Sequence, residues 1–148
     1  MARINSAKQN QRGSTLVEFA IGASVFLLVM FACIEFGRAL WVHNALADAA
    51  RRGARYAVTH TAADINDVKN VAVYGDPAGG TSPVVDGLTT GNINVTYSSF
   101  GLTGGTATVA ISNYQFQFVL PVGSSAIQMP DYSTTLTAES AGLIPANQ

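Results

Sequence analysis

The sequence predicts an α+β protein: a long N-terminal transmembrane and stalk helix packed on a small exported domain with a second short helix and a three-stranded antiparallel sheet. Three observations predict this class. Residues 19–34 contain no charged side chain. Small apolar residues then recur every four positions as far as residue 58, which is the period of a helix face. From residue 92 onward, apolar and polar residues alternate, as they do in β-strands.

Charge is scarce in this chain and unevenly distributed. Charged residues make up 11% of the 148 residues, against about a quarter in a typical soluble domain. Residues 1–60 carry a net charge of +4 and residues 61–148 a net charge of −5, so the two parts are expected to meet different surroundings. The formal net charge of −1 argues against a nucleic-acid partner. The single cysteine, Cys33, excludes an internal disulfide framework.

The uncharged run over residues 19–34 predicts a membrane helix. Its sixteen residues would span about 24 Å, whereas the hydrocarbon core of a bilayer is about 30 Å thick. Flanking residues extend the membrane part to about residues 16–41, because Arg38 can reach outward to the interface and Trp41 suits it. The alternative is a buried core helix, but the 88 residues that follow residue 60 are too small a body to surround it.

The N-terminal residues predict the orientation of this helix. Arg3, Lys8 and Arg12 stand without an acidic neighbour, which favours a cytoplasmic N-terminus and a periplasmic or otherwise extracytoplasmic C-terminal domain. The small-residue site Ala45-Leu46-Ala47 lies too far beyond the apolar core for a conventional secretory cleavage. We therefore interpret the segment as a single-pass anchor.

A glycine and a glutamate flank the start of the apolar segment. Gly13 ends a basic leader, and Glu18 follows five residues later, where a carboxylate is costly and calls for a partner. A cut after Gly13 would create an α-amino group on Ser14, which could neutralise Glu18 of a neighbouring subunit. This spacing resembles the type IV prepilin signal, which a membrane-embedded prepilin peptidase cleaves. Alternatively, Glu18 only marks the membrane boundary.

Three segments together resemble the N-terminal signature of the TadE-like family, the pilin-like or pseudopilin components of the tight-adherence (Flp-type) pilus machinery. The resemblance covers about residues 12–58. The chain departs from the family at Ala23-Ser24, where many relatives have proline, and at Phe19, where Flp-type pilins usually have tyrosine. The three segments are Leu16-Val17-Glu18-Phe19-Ala20, Ile34-Glu35-Phe36-Gly37-Arg38 and Ala49-Ala50-Arg51-Arg52-Gly53-Ala54-Arg55-Tyr56-Ala57.

The resemblance implies a minor pilin or pseudopilin of the bacterial inner membrane that acts in a cell-adhesion pilus. Its partners would be the prepilin peptidase, other pilin-like subunits and the pilus assembly platform. We expect Gly13 and Ser14 to form the processing site, and Glu18 and Phe19 to act in assembly. The family-motif helix would contribute Glu35, Phe36, Gly37, Arg38, Arg51, Gly53, Arg55 and Tyr56. The alternative is an unprocessed bitopic membrane protein whose exported domain binds another component of a secretion apparatus.

The helix is expected to continue beyond the membrane to about residue 60. One face carries a stripe of small apolar residues, which permits close approach of another backbone, so this stripe should lie against a sheet or against the same helix of neighbouring subunits. On the opposite polar face, Asp48 can pair with Arg51 or Arg52. The stripe consists of Val42, Leu46, Ala50, Ala54 and Val58, flanked by Ala45, Ala49, Gly53 and Ala57. The expected domains are the leader 1–13, the helix 14–60 and the exported head 61–148.

The head is predicted to begin with a second helix over Asp64–Val73. Thr61-Ala62-Ala63-Asp64 has the form of a capping box, and Ile65, Val68 and Val71 or Ala72 mark one face. Gly75 should stop the helix, and residues 75–91, rich in glycine and proline, predict an irregular loop.

Three strands are predicted after this loop. The first covers Asn92–Tyr97, and Gly104-Gly105 is a candidate hairpin turn into the second. Within the second strand the apolar positions change parity at Ser112-Asn113, which we interpret as a β-bulge, and Pro121 ends the strand. The third strand is expected over Tyr132–Ala141.

The sequence contains few residue patterns that are typical of catalytic or metal sites. His43 and His60 lie seventeen residues apart without a nearby cysteine, so we expect no metal site, and Cys33 is expected to be a small apolar residue of the membrane segment. Asp131-Tyr132-Ser133-Thr134-Thr135 superficially matches a metal-dependent adhesion loop but is expected simply to enter a strand. No phosphate loop or dinucleotide fingerprint is present. We expect no enzyme and no cofactor; a membrane-tethered enzyme or metal-dependent adhesin is the least favoured alternative.

Overall fold

The computed structural model describes residues 5–60, 64–98, 105–119 and 126–137. They form two helices, a short 3-10 turn and five strands, which confirms the predicted α+β class. The elements are α1 (Asn5–Thr59), α2 (Ile65–Tyr74), the 3-10 turn (Thr90–Asn92), β1 (Ile93–Ser98), β2 (Thr106–Ile111), β3 (Gln115–Gln117), β4 (Ala126–Gln128) and β5 (Tyr132–Thr137). The chain divides into two compact units, residues 1–38 and residues 39–148.

The first unit consists of the apolar part of α1, whose large side chains face outward. Phe19 is 73% exposed, Phe26 67% and Leu28 61%. The helix runs unbroken through Ala23 and Ser24, where the hydroxyl of Ser24 donates a hydrogen bond to the carbonyl oxygen of Ala20 at 2.8 Å. That bond satisfies the hydroxyl within the helix, so the serine does not interrupt the apolar surface.

In the second unit, the stripe of small residues on α1 forms the centre of the hydrophobic core. Leu46, Ala50 and Ala54 have no exposed surface. Gly53 lies so close to its neighbours that an added Cβ would stand 3.2 Å from Cβ of Ala72 and 3.2 Å from Cγ1 of Val109. The stripe therefore packs against α2 and β2 of its own chain, which confirms the predicted contact with a sheet.

Helix α2 begins one residue later than predicted, with Asp64 as its N-cap residue and no side-chain capping hydrogen bond. Thr61, the other end of the predicted capping box, lies outside the described residues. Ile65, at the start of the predicted face, is 37% exposed. The buried residues of α2 are Val68, Val71, Ala72 and Val73. Gly75 ends the helix as predicted, with φ 79°, and donates its N–H to the carbonyl oxygen of Val71.

Three strands form one antiparallel sheet in the order β1-β2-β5. Val95 pairs with Val109, which in turn pairs with Thr134. Ala107, Val109 and Ile111 point into the core with no exposed surface, as the alternation predicted. The predicted hairpin residue Gly104 and the end of the third predicted strand, residues 138–141, lie outside the described residues.

The predicted β-bulge at Ser112-Asn113 is wrong. Strand β2 ends at Ile111, and Asn113 adopts a left-handed conformation with φ 58°. The chain then leaves the first sheet, and β3 pairs with β4 in a separate two-stranded sheet. The change of parity therefore reflects a change of sheet at a residue type that tolerates the left-handed region. The predicted strand end at Pro121 lies outside the described residues.

We expect Gly53→Val to destabilise the second unit by about 1–3 kcal/mol, because the added methyl groups would overlap Ala72 and Val109. Valine is a better helix former than glycine, so helix propensity acts in the opposite direction. Urea unfolding of the detergent-solubilised full chain measures the effect. Gly37→Val is the matched control, since no atom lies within 4 Å of the Cβ position at Gly37. Equal stability of the two variants would contradict the close packing at Gly53.

Candidate assembly site on the N-terminal helix

The predicted processing residues lie within α1. Gly13 and Ser14 are both exposed, and no atom lies within 4 Å of the position that a Cβ on Gly13 would occupy. Access to this peptide bond is therefore not obstructed by packing.

Glu18 lies on an exposed, apolar part of the helix. Its neighbours Leu16, Val17 and Phe19 are 69%, 60% and 73% exposed. No ion pair or hydrogen bond of Glu18 occurs in the part of the chain that the structure describes. A carboxylate on an apolar surface is stabilised by a nearby cation, and for Glu18 that cation would come from outside the described residues.

Glu35, the second carboxylate of the apolar segment, has a partner one turn away. Nη2 of Arg38 donates to Oε2 of Glu35 at 2.9 Å and Nε donates to the same oxygen at 3.3 Å. Glu35 is only 9% exposed, whereas Phe36 is 66% exposed. The pair brings opposite charges together at the end of the uncharged run. This pair was not predicted, because Arg38 was expected to extend outward to the interface, although the spacing of three residues indicates the pair.

The remaining family-motif residues divide between packing and surface. Gly53 lies in the core, whereas Arg51 and Arg55 are exposed. Tyr56 stacks on His60, with ring centroids 3.7 Å apart and an interplanar angle of 14°. Burial raises the pKa of Tyr56, and the negative charges of Asp67 and Asp64 raise it further. The structure thus distributes these residues along α1 and does not gather them into one pocket.

The polar face of α1 forms one of the predicted ion pairs and a hydrogen bond through His43. Nη1 of Arg52 lies 2.9 Å from Oδ2 of Asp48, which confirms one of the two predicted pairings. His43 is exposed, and its Nδ1 is hydrogen-bonded to the hydroxyl of Tyr132 on β5 at 2.8 Å. No sequence pattern indicates this link, because 89 positions separate the two residues.

The segment that superficially matches a metal-dependent adhesion loop enters a strand. Asp131 is exposed, and Tyr132–Thr137 form β5, as the sequence analysis expected for this segment. Among the described residues, no group of three or more His, Cys, Asp or Glu side chains is arranged to hold a metal ion.

The apolar part of α1 meets the length and composition of a membrane-crossing helix. Over Gly13–Thr59, the most apolar window of 18 residues has a mean hydropathy of 2.4, and none of that window is buried within the chain. An apolar surface of this size on a water-soluble protein would be exceptional. The helix is therefore suited to anchor the protein in a membrane.

Comparison with known protein families finds a match over this same helix. Residues 13–55 match the family model described as TadE-like protein. No curated protein and no solved structure matches the chain. The matched range contains Gly13, Glu18, the Glu35–Arg38 pair and Gly53, and it confirms the resemblance seen in the sequence. Over residues 13–55, the N-terminal helix of this chain is thus similar to TadE-like proteins.

Proposed function

We propose that this protein is a minor pilin or pseudopilin, a structural subunit or assembly factor of a tight-adherence pilus, with no catalytic role of its own. The TadE-like segment suggests involvement in this machinery. The observation that carries the proposal is the uncovered apolar surface of α1, where a window of 18 residues has none of its surface buried by the rest of the chain. Such a surface can pass from lipid into contact with the helices of neighbouring subunits, because both environments are apolar.

The protein would be inserted in the inner membrane with its N-terminus in the cytoplasm. Arg3, Lys8 and Arg12 support this orientation, because cytoplasmic flanks of membrane helices are enriched in basic residues. The domain that begins near Ala39 would then lie on the extracytoplasmic side. Its three-stranded sheet and α2 would form the exported head.

A prepilin peptidase would cleave the chain after Gly13 and leave Ser14 as the mature N-terminus. The cut would remove the basic leader and create a positive α-amino group at the end of the apolar helix. Glu18 of a neighbouring subunit would pair with that group. The contrast with Glu35 supports this assignment, since Glu35 is paired with Arg38 in its own helix while Glu18 stands on an exposed apolar surface.

Gly13→Ala should abolish processing while leaving the fold intact, because no atom contacts that position. Mass spectrometry of the membrane-derived protein should find a mature N-terminus at Ser14 in the unsubstituted chain and an intact leader in the variant. Gly22→Ala is the matched control, since Gly22 lies on the same helix and also has no atom within 4 Å of its Cβ position. An intact leader on the unsubstituted chain, in cells with an active prepilin peptidase, would contradict the proposal and favour an unprocessed bitopic protein.

Glu18→Ala should leave cleavage after Gly13 largely intact and reduce incorporation into pili by about tenfold, which corresponds to losing about 1.4 kcal/mol. The reason is the loss of the carboxylate that would pair with the neighbouring α-amino group. Quantitative immunoblotting of sheared pili and of membranes separates the two steps. Val17→Ala, which truncates an adjacent side chain that is 60% exposed, is the control. Normal incorporation of the Glu18 variant would rule out the charge pair.

A further inference from the structure

The arginines of the second unit all lie on α1, whereas most of its acidic residues follow that helix in the sequence. Arg51, Arg52 and Arg55 fall within one and a half turns of the helix, and no lysine or arginine follows Lys69 in the sequence. The loop after α2 carries two exposed aspartates, Asp76 and Asp86. Positive and negative charges are therefore concentrated on different elements of the same unit.

The arginine face consists of Arg51 and Arg55. They are four positions apart in the sequence, so they stand one turn apart on the same side of α1. Both are exposed, and neither forms an ion pair with a described residue. Arg52 differs, because its Nη1 lies 2.9 Å from Oδ2 of Asp48. The buried side of this helix segment, with Ala50 and Ala54, packs within its own chain, so the arginine face is the side that remains available.

The acidic loop consists of residues 75–89, with Asp76 and Asp86 as its only charged residues. The core holds it in place, since Val85 and Leu88 are 1% and 2% exposed. The N–H of Val84 donates to the carbonyl oxygen of Val73 at 2.8 Å, and the hydroxyl of Tyr114 donates to the carbonyl oxygen of Asp86 at 2.7 Å. The two carboxylates are therefore presented by a fixed backbone.

The outward face of the sheet, by contrast, carries no charge. Thr96, Thr108 and Thr135 form one row across the three strands, and the hydroxyls of Thr108 and Thr135 lie 2.7 Å apart in a hydrogen bond. The rows on either side contain only serine, threonine, asparagine and alanine. Electrostatic attraction between two copies therefore has to involve other surfaces, and the arginine face and the acidic loop have opposite signs.

We propose that the arginine face of one copy binds the acidic loop of a second copy. The two surfaces belong to different elements, so the contact is heterologous: each copy has one surface of each kind left for a further neighbour. Contacts of this type build open helical filaments when the rotation does not close into a ring. The inference rests on the proposed pilus function and names the surfaces through which the exported units would meet. Exposed ion pairs are individually weak, but anchoring in one membrane raises the effective concentration of the partners.

Charge reversal with rescue tests this contact. Two differently tagged full-length copies are expressed in one membrane and co-purified in mild detergent. We expect the double variant Arg51→Asp with Arg55→Asp to lower self-co-purification about tenfold, and Asp76→Arg with Asp86→Arg to do the same. Co-expression of the two double variants should restore co-purification, because the acidic surfaces of one would then face the basic surfaces of the other. High salt should weaken the unsubstituted pair.

Lys69→Asp and Asp131→Arg serve as controls, because each reverses one charge, a change of two units per residue as at each position of the double variants, and neither residue belongs to the arginine face or to the acidic loop. Thermal unfolding of each variant shows whether its fold is retained. Unchanged co-purification of the double variants would overturn the inference. A loss that co-expression of the two double variants does not restore would also overturn it, because it would indicate that another protein is the partner. The N-terminal mass of the unsubstituted protein is measured separately. If the leader is intact and the copies still co-purify through these charges, the proposed function is contradicted and the contact between copies is not.

Discussion

The uncharged, outward-facing surface of α1 must be removed from water. The placement of charged residues along α1 and the change in its composition follow from this constraint. Burying one large apolar side chain is worth about 1.5–3 kcal/mol, whereas a charged residue in a membrane helix costs about 2.5–3.5 kcal/mol at the bilayer centre. Lipid burial of two residues such as Phe26 and Leu28, each more than 60% exposed, therefore offsets the cost of Glu18. The helix can hold a carboxylate in its apolar part and still remain anchored.

The same helix uses a different composition once it enters the second unit. Leucine, valine and phenylalanine give way to alanine and glycine, so the backbone of α1 can approach α2 and β2 closely. At Gly53 this approach leaves no room for a larger side chain without displacement of Ala72 or Val109. One helix thus carries a surface suited to lipid and a surface suited to a protein core. Its charged residues mark the change between them, with the Glu35–Arg38 pair at the end of the uncharged run.

Features with a sequence period could be predicted, and features without one could not. The four-residue repeat of Val42, Leu46 and Ala50 indicated a buried helix face, and alternation indicated the strands of the first sheet. The second sheet was missed for two reasons. The alternation over β3 was assigned to the preceding strand, because the left-handed turn at Asn113 leaves no periodic signal, and β4 has only three residues, too few to establish an alternation. Contacts distant in sequence, such as that between His43 and Tyr132, were likewise inaccessible. The candidate site residues could be named from their spacing, but their division into core, ion pair and exposed surface required the structure.

Spin labelling of the apolar helix tests the central claim most directly. A single label is placed at Leu28→Cys or, for comparison, at Asn44→Cys, each in a Cys33→Ser background and in lipid vesicles. If α1 crosses the membrane, the label at position 28 will relax faster with oxygen, which partitions into lipid, than with a water-soluble nickel chelate. The label at position 44 will show the opposite preference. Equal access of the nickel chelate to both positions would contradict a membrane-anchored helix.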